Sequence, residues 1–275
     1  MLIRSFQEAE KNGQVVSISH GKSSAVRVLL KADGLGFSLS EARCGAGNRS
    51  KLWYKNHWEA NYIRAGRGSI RNLDTHEELA LYPGVIYCVG PNDRHSIINS
   101  DDPLRIVSIF CPPITGLETH DEDGAFPPTG DVTQGRDAMF VRTIDDIRAL
   151  DGEKILGGGA VKALRLVTAA DDMGFSVSDV TLKAGTDITL WYKNHWEANL
   201  ILEGHLNLTH QTTNEQHQLE FGDVYCVGPN DPHRITCKTE VKLLAIFNPP
   251  LSGDEKHDAD GAYPPTGPIP LGPRN

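Results

Sequence analysis

The chain has 275 residues, a formal net charge of −9 and a charged fraction of 23%, a make-up that suits one large globular domain or two ordinary ones. The acidic balance, with no basic stripe to offset it, excludes nonspecific nucleic-acid binding, and no apolar run is long enough to cross a membrane as a helix. The opening "MLIRSFQEAEKNGQ" is charged from its fourth residue and lacks the apolar stretch of a signal peptide. Five cysteines with no CxxC pair point to reduced thiols in a cytoplasm.

In chain order, "RSFQEAEKNG" reads as a short helix. The β-rich runs "AVRVLL", "GFSLSEARC", "EANYIRAGRGSIRNL", "VIYCV" and "LRIVSIF" follow, parted by Asp-Gly, Arg-Gly, Tyr-Pro-Gly and Pro-Asn-Asp turn signals. Then the series begins again. "MFVRTIDDIR" at Met139 answers "MLIRSFQEAE" at Met1, and "RTIDDIRALDG" is the second helical opening. The offset of 138 residues (139 − 1) holds through His95 and His233, and Phe110 then matches Phe247 at 137. "LWYKNHWEAN" and "YCVGPND" stand in both copies. A period of this size predicts two domains, residues 1–130 and 139–275, joined by a linker at 131–138. Many short strands with little helical periodicity predict an all-β fold of two tandem barrels.

Each copy also carries the second of two motifs that mark jelly-roll barrels of the cupin type: "PGVIYCVGPNDRH" ends at His95 and "FGDVYCVGPNDPH" at His233. The first motif is altered. Where such barrels place two His, this chain has Leu52 and Tyr54 before Glu59, and Leu190 and Tyr192 before Glu197. A three-His, one-Glu metal site therefore cannot be built, and one Glu and one His remain in each copy beside nearby oxygen donors.

On "WYKNHWEA", on the Tyr and His of the second motif, and on the closing "PPITGLETHDEDGAFPPTG" and "PPLSGDEKHDADGAYPPTG", the sequence resembles the ectoine synthase family of cupin enzymes. The resemblance spans nearly the whole of each copy. It implies two cupin barrels related by a pseudo-twofold axis, an intrachain counterpart of a symmetric dimer, with a homodimer of chains as a further possibility. It implies a divalent metal, Fe(II) with Zn as the alternative, held by Glu59, Tyr87 and His95 in one copy and by Glu197, Tyr225 and His233 in the other. It implies catalytic roles for Tyr54, Glu118 and His120 and for Tyr192, Glu255 and His257, with Arg27, Phe110, Arg165 and Phe247 lining the substrate pocket. The reaction implied is closure of N-γ-acetyl-diaminobutyrate, a small-molecule substrate, to a cyclic amidine with loss of water.

Carboxylate, phenolate and imidazole leave a divalent ion with open positions, as catalysis needs, and the cation itself would favour the phenolate of Tyr87. In an extended segment Glu118 and His120 share a face. His57 and His195 share strand parity with Glu59 and Glu197 and are expected to orient the site. Cys88 and Cys226 are expected on the opposite face from the tyrosines, and the four Trp in packing roles. "HDEDG" lacks the downstream Glu of a calcium loop and reads as an acidic turn. Three positions depart from the family pattern around the substrate: Ser23 and Val161, Ala42 and Val180, Ser108 and Ala245. A different acylated diamine is therefore an open alternative, beside a bicupin iron dioxygenase and a non-catalytic metabolite binder.

Overall fold

The computed structural model describes residues 1–18, 21, 23–99, 101–132, 135 and 138–273, so four positions of the expected linker (133, 134, 136 and 137) lie outside the described residues. The chain divides into two compact units. The N-terminal unit is Glu8–Ile144, and the C-terminal unit joins Met1–Gln7 to Asp145–Asn275.

The chain opens with β1 (Leu2–Ser5) and α1 (Phe6–Lys11). The strands β2 (Val15–Ile18), β3 (Ser23–Leu29), β4 (Ser38–Cys44), β5 (Arg49–Leu52) and β6 (Trp58–Ala65) follow. Next come β7 (Gly68–Asn72), β8 (Glu78–Leu81), β9 (Ile86–Val89), β10 (His95–Ile98) and β11 (Leu104–Cys111). The second copy repeats this as β12 (Phe140–Arg142), α2 (Ile144–Ala149), β13 (Glu153–Leu156), β14 (Val161–Val167) and β15 (Ser176–Leu182). It continues through β16 (Asp187–Leu190), β17 (Trp196–Glu203), β18 (Leu206–His210) and β19 (Gln216–Leu219) to β20 (Asp223–Val227), β21 (His233–Thr236) and β22 (Val241–Asn248).

Both units have one topology. A seven-stranded sheet runs β12-β9-β6-β11-β4-β3-β2 in one and β1-β20-β17-β22-β15-β14-β13 in the other, each faced by a four-stranded sheet, β5-β10-β7-β8 or β16-β21-β18-β19. Among the described residues all pairings are antiparallel, and apolar residues of both sheets meet in a core within each unit, built in one around Ile63, Ile70, Ile97 and Ile106 and in the other around Ile201, Leu208, Ile235 and Leu243. Sequence copy and compact unit differ at one place. The outer strand of each large sheet comes from the other copy: β12 pairs with β9 (Val141 opposite Tyr87), and β1 pairs with β20 (Ile3 opposite Tyr225).

The repeated blocks interlock, which explains why their aromatic residues stand where they do. Trp58 is 1% exposed and lies against Gly90, where a Cβ would come 2.2 Å from its ring. The Trp53 indole N–H donates to the Pro91 carbonyl at 2.6 Å, and Trp191 does the same to Pro229 at 2.7 Å. The four Trp are thus packing residues around the "VGPND" turns. In those turns the Asp93 carboxylate accepts from Gly90 N–H at 2.8 Å and from Met139 N–H at 2.8 Å. The "HDEDG" segment is an Asp-capped turn, with Asp121 Oδ1 accepting the Asp123 and Ala125 N–H groups.

Candidate functional site

In a half-buried strand alternate residues face the core. The core face of β6 reads Glu59, Asn61, Ile63, and that of β17 reads Glu197, Asn199, Ile201. A carboxylate and an amide thus sit where apolar side chains belong. Glu59 stands opposite Phe110 on β11 and Val89 on β9, and Asn61 opposite Ser108 and Tyr87. His95, the first residue of β10, faces in from the small sheet and is fully buried. Burial lifts the Glu59 carboxyl to about 8, against smaller lowering effects from Asn61 and Ser108. Glu197 is lifted to about 8 in the same way. Burial also raises the Tyr87 and Tyr225 phenols, with the neighbouring Glu adding to it, and takes His95 and His233 down to about 4. Alone, all of these donors favour their neutral forms, as desolvation dictates.

Each histidine is held in one tautomer. Nδ1 of His95 lies 3.0 Å from the Asp93 carbonyl and Nδ1 of His233 2.9 Å from that of Asp231, while both Nε2 atoms are buried without a hydrogen-bond partner. An imidazole fixed by a backbone carbonyl, with a bare inward nitrogen beside a buried carboxyl and a phenol, has the form of a metal ligand set. Among the described residues no cluster of three or more His, Cys, Asp and Glu forms, and each set here has two of these plus a tyrosine.

Of the remaining expected residues, a tyrosine and a histidine pair in each unit. Tyr54 Oη is 2.9 Å from His120 Nε2, and the His120 ring stacks on Phe126 at 4.6 Å and 8°. Tyr192 and His257 repeat this at 3.3 Å, with His257 stacked on Tyr263 at 4.3 Å. Phe110 and Phe247 meet the Tyr54 and Tyr192 rings edge-on. Glu118 does not join His120. Its carboxylate turns back into its own loop, accepting from Thr115 N–H at 2.5 Å, Thr115 hydroxyl at 2.6 Å and Gly116 N–H at 2.9 Å. Burial pushes Glu118 up, but these hydrogen bonds outweigh it and hold the group below the ordinary carboxylate range. Glu255 is held alike by Ser252 and Gly253.

The arginines differ between units. Arg27 donates to the Glu118 carbonyl at 2.6 Å and lies 3.5 Å from its carboxylate. Arg165 instead donates to Ser178 Oγ at 3.0 Å and to the Tyr263 hydroxyl at 3.2 Å. Phe126 occupies the place of Tyr263 and has no hydroxyl to accept. In the C-terminal unit a cavity is lined by Arg165, Tyr192, Glu197, Tyr225, Phe247 and His257, with His233 behind Tyr192 at 6.1 Å between ring centroids.

A model of the ectoine synthase family matches residues 1–130 and again residues 139–267. The chain belongs to the ectoine synthase family, a family of enzymes. The L-ectoine synthase of Desulfatibacillum aliphaticivorans is 39% identical over 131 residues, which is 48% of this chain and 100% of that protein. That of Alkalilimnicola ehrlichii is 50% identical over 100 residues, 36% of this chain and 76% of the relative. These ectoine synthases are therefore one copy long. Among solved structures, the oxalate decarboxylase–formate complex of Lactobacillus farciminis superposes with a TM-score of 0.65 at 16% identity, covering 92% of this chain and 87% of the other. A putative glyoxylate-induced protein of Pseudomonas aeruginosa gives 0.62 at 16% identity, covering 82% and 80%. At such identity these show the fold alone: two cupin barrels in one chain.

Four elements of this candidate site escape a reading of the sequence. Asn61 and Asn199 sit two residues after the Glu on the same strand face, a signal that alternation could have revealed. Phe126 and Tyr263 as stacking partners, Thr115 and Ser252 as anchors, and Thr129 and Thr266 as partners of His57 (3.1 Å) and His195 (3.0 Å) come from loops whose course only the fold shows.

Proposed function

We propose that each unit closes an N-acyl diamino acid, N-γ-acetyl-L-2,4-diaminobutyrate in the first instance, to the cyclic amidine ectoine with loss of one water, as a carbon–oxygen hydro-lyase. One observation carries the proposal. Around a single cavity the C-terminal unit gathers a buried arginine, a tyrosine–histidine pair and a buried glutamate–tyrosine donor set, and the N-terminal unit has the same residue types on register-equivalent strands.

Glu59, Tyr87 and His95, and Glu197, Tyr225 and His233, would hold a divalent cation, Fe(II) with Zn(II) as the alternative. The bare Nε2 atoms of His95 and His233 suit this role. When bound, such a cation supplies Lewis-acid polarisation of the acetamido carbonyl. Arg27 and Arg165 take the substrate carboxylate, each through an Nε that is buried and has no protein acceptor. Glu118, tied to its loop and to Arg27, positions that arginine. Phe110 and Phe247 pack on the tyrosines and limit the space in which the flexible chain can lie, which favours the folded conformer needed for ring closure. His120, backed by the Tyr54 hydroxyl, accepts the proton of the α-amine as its nitrogen attacks the acetamido carbon. The pair then returns protons to the departing oxygen, so both hydrogens of the neutral amine end on water and a C–N double bond remains. His257 and Tyr192 do the same in the other unit, and burial, followed by the Arg165 charge, keeps His257 unprotonated by lowering it to about 4. All five cysteines are free thiols, which supports a reducing compartment, and we place the enzyme in the cytoplasm. Among the described residues no helix is long and apolar enough to cross a membrane.

The test is anaerobic turnover of N-γ-acetyl-diaminobutyrate by iron-loaded protein, with ectoine identified by mass spectrometry and metal counted per chain. Ectoine formation with about two metals per chain is expected, one per donor set, along with loss of both in the Glu59→Gln/Glu197→Gln double variant. Absence of product from fully loaded protein, or full turnover by the double variant, would overturn the reading.

A further inference from the structure

The two units carry the same candidate reacting residues but differ at the positions that line the C-terminal cavity beyond them. On β3 the residues Ser23, Ala25 and Arg27 alternate onto the core face, and four steps of strand put Ser23 about 13 Å from Arg27. Val161 and Arg165 stand in the same relation on β14. With the substrate carboxylate at the arginine, the opposite wall meets the acyl group.

Strand register gives the matching positions of the lining, from the Ser23 and Val161 rows back to Ser108 and Ala245, which share a row with Arg27 and Arg165. Ser23 lies opposite Cys44, where the C-terminal unit pairs Val161 with Leu182. Ala42 lies opposite Ala25, where Val180 faces Ala163. Ser50 opposite Ile97 corresponds to Ile188 opposite Ile235, and Ser108 opposite Asn61 corresponds to Ala245 opposite Asn199. Val161, Val180, Leu182, Ile188 and Ala245 all line the C-terminal cavity. These five exchanges run in one direction, hydroxyl, thiol or lone methyl in the N-terminal unit becoming aliphatic and usually larger in the C-terminal unit, while the one added hydroxyl, that of Tyr263 in place of Phe126, is taken by Arg165.

The hydroxyls of the N-terminal unit are not equally well satisfied by protein. Ser108 donates to Asn61 Oδ1 at 2.5 Å and Ser50 to Asn48 Oδ1 at 2.7 Å, whereas the buried Ser23 hydroxyl meets only the Cys44 thiol across the strand pair. A thiol is a weak hydrogen-bond partner, so a polar group on a ligand facing Ser23 satisfies its hydroxyl better than Cys44 does. An aliphatic wall has no such group and favours a hydrocarbon surface.

Resting on the cyclase reading above, we infer that the two sites of this chain differ in acyl selectivity. The C-terminal unit takes an N-acyl diamino acid with a plain alkyl acyl group. The N-terminal unit takes one whose acyl group carries a hydrogen-bonding substituent such as a hydroxyl. Five exchanges of one sense around the lining, with the reacting residues kept, are the pattern expected of two sites serving different substrates of one reaction.

The test uses full-length chains with one site silenced, Glu197→Gln to leave the N-terminal site and Glu59→Gln to leave the C-terminal one. Each is given N-γ-propionyl and N-γ-hydroxyacetyl diaminobutyrate, which are nearly equal in size. The ratio of kcat/KM for the two substrates is expected to differ between the sites by about ten-fold or more, the N-terminal site favouring hydroxyacetyl. Ser23→Val/Cys44→Leu is expected to shift the N-terminal ratio toward propionyl, and Val161→Ser/Leu182→Cys the C-terminal ratio the other way, so a folding failure in one still leaves the other to decide. Equal ratios at both sites, or ratios that neither exchange moves, would overturn the inference. Calorimetric binding of the same two compounds to Arg27→Met and Arg165→Met chains separates the two claims. Opposite binding preferences without any turnover would retire cyclisation and keep the selectivity, whereas equal affinities, or no binding at all, would end the selectivity too.

Discussion

The hydroxyl of Tyr54 stands 2.9 Å from Nε2 of His120, bridging 66 residues of sequence between the turn before β6 and the closing loop of the same unit. Burial raises the tyrosine well above its ordinary range, with the neighbouring Glu59 adding to it, so its hydroxyl stays protonated in the resting pair. Tyr54→Phe, made in a chain whose other site is silenced by Glu197→Gln, is expected to lower kcat by about 10²-fold or more with KM little changed. Steady-state kinetics checks this, with circular dichroism to show that the fold is intact. A change confined to KM would assign Tyr54 to binding instead.

The metal-free protein should be most stable near pH 6.5. His57, His95, His195, His233 and His257 are all lowered to about 4 from 6.5, chiefly by burial. The unfolded chain therefore binds more protons between those values, and stability rises with pH through that window. Glu59 and Glu197, raised to about 8 from 4.5, act in the opposite sense. The folded state holds their protons longer, so stability falls as pH rises to about 8. Below 6.5 the five histidines outweigh the two carboxyls, and above it only the carboxyls remain. Thermal melts of chelator-treated protein should show the maximum, and Glu59→Gln/Glu197→Gln should flatten its alkaline side.

Gly90→Ala and Gly228→Ala should each destabilise one unit. The added Cβ would lie 2.2 Å from the Trp58 ring in the first case and 2.5 Å from the Trp196 ring in the second. A ring held in the core has no room to retreat, so the cost is expected at about 1–3 kcal/mol. Urea denaturation measures it, and an unchanged midpoint would show that the indole can move.

Deleting residues 2–5 removes β1 and leaves the edge of β20, which carries Tyr225, without a neighbour. The C-terminal unit should lose roughly 1 kcal/mol for each ladder hydrogen bond broken, and amides of β20 should exchange faster while those of β9 keep their protection. Hydrogen exchange with mass spectrometry resolves the two strands. Equal effects on both would contradict the assignment of β1 to the C-terminal unit.

Much of this was legible in the residues. The helices at the start of each copy and the strands at "AVRVLL", "GFSLSEARC", "VIYCV" and "LRIVSIF" appear as expected, because their alternation and turn signals are local. "EANYIRAGRGSIRNL" proves to be two strands, β6 and β7. The short strands β5 and β10 carry too few apolar residues to announce themselves, and they are seen only through their partners. Glu118 illustrates the limit at the site. Its spacing from His120 suggests a shared face, yet both lie in a loop where Thr115 and Gly116 capture the carboxylate and Tyr54 takes the histidine.

The sequence by itself determined that one unit is written twice, that each copy is a β-barrel of the ectoine synthase family, and which donor types each barrel contains. These follow from local pattern and from motif identity, which no folding is needed to read. Only the tertiary structure decided that β1 and β12 are exchanged between the copies, that Arg27 leans on Glu118 while Arg165 leans on Tyr263, and that Val161, Val180, Leu182, Ile188 and Ala245 line one cavity. The physical reason is the same for all three. "LIRS" and "FVR" offer equivalent backbone ladders to either sheet, an arginine finds whichever acceptor its barrel supplies, and residues far apart in the chain share a wall only once strand register sets them side by side.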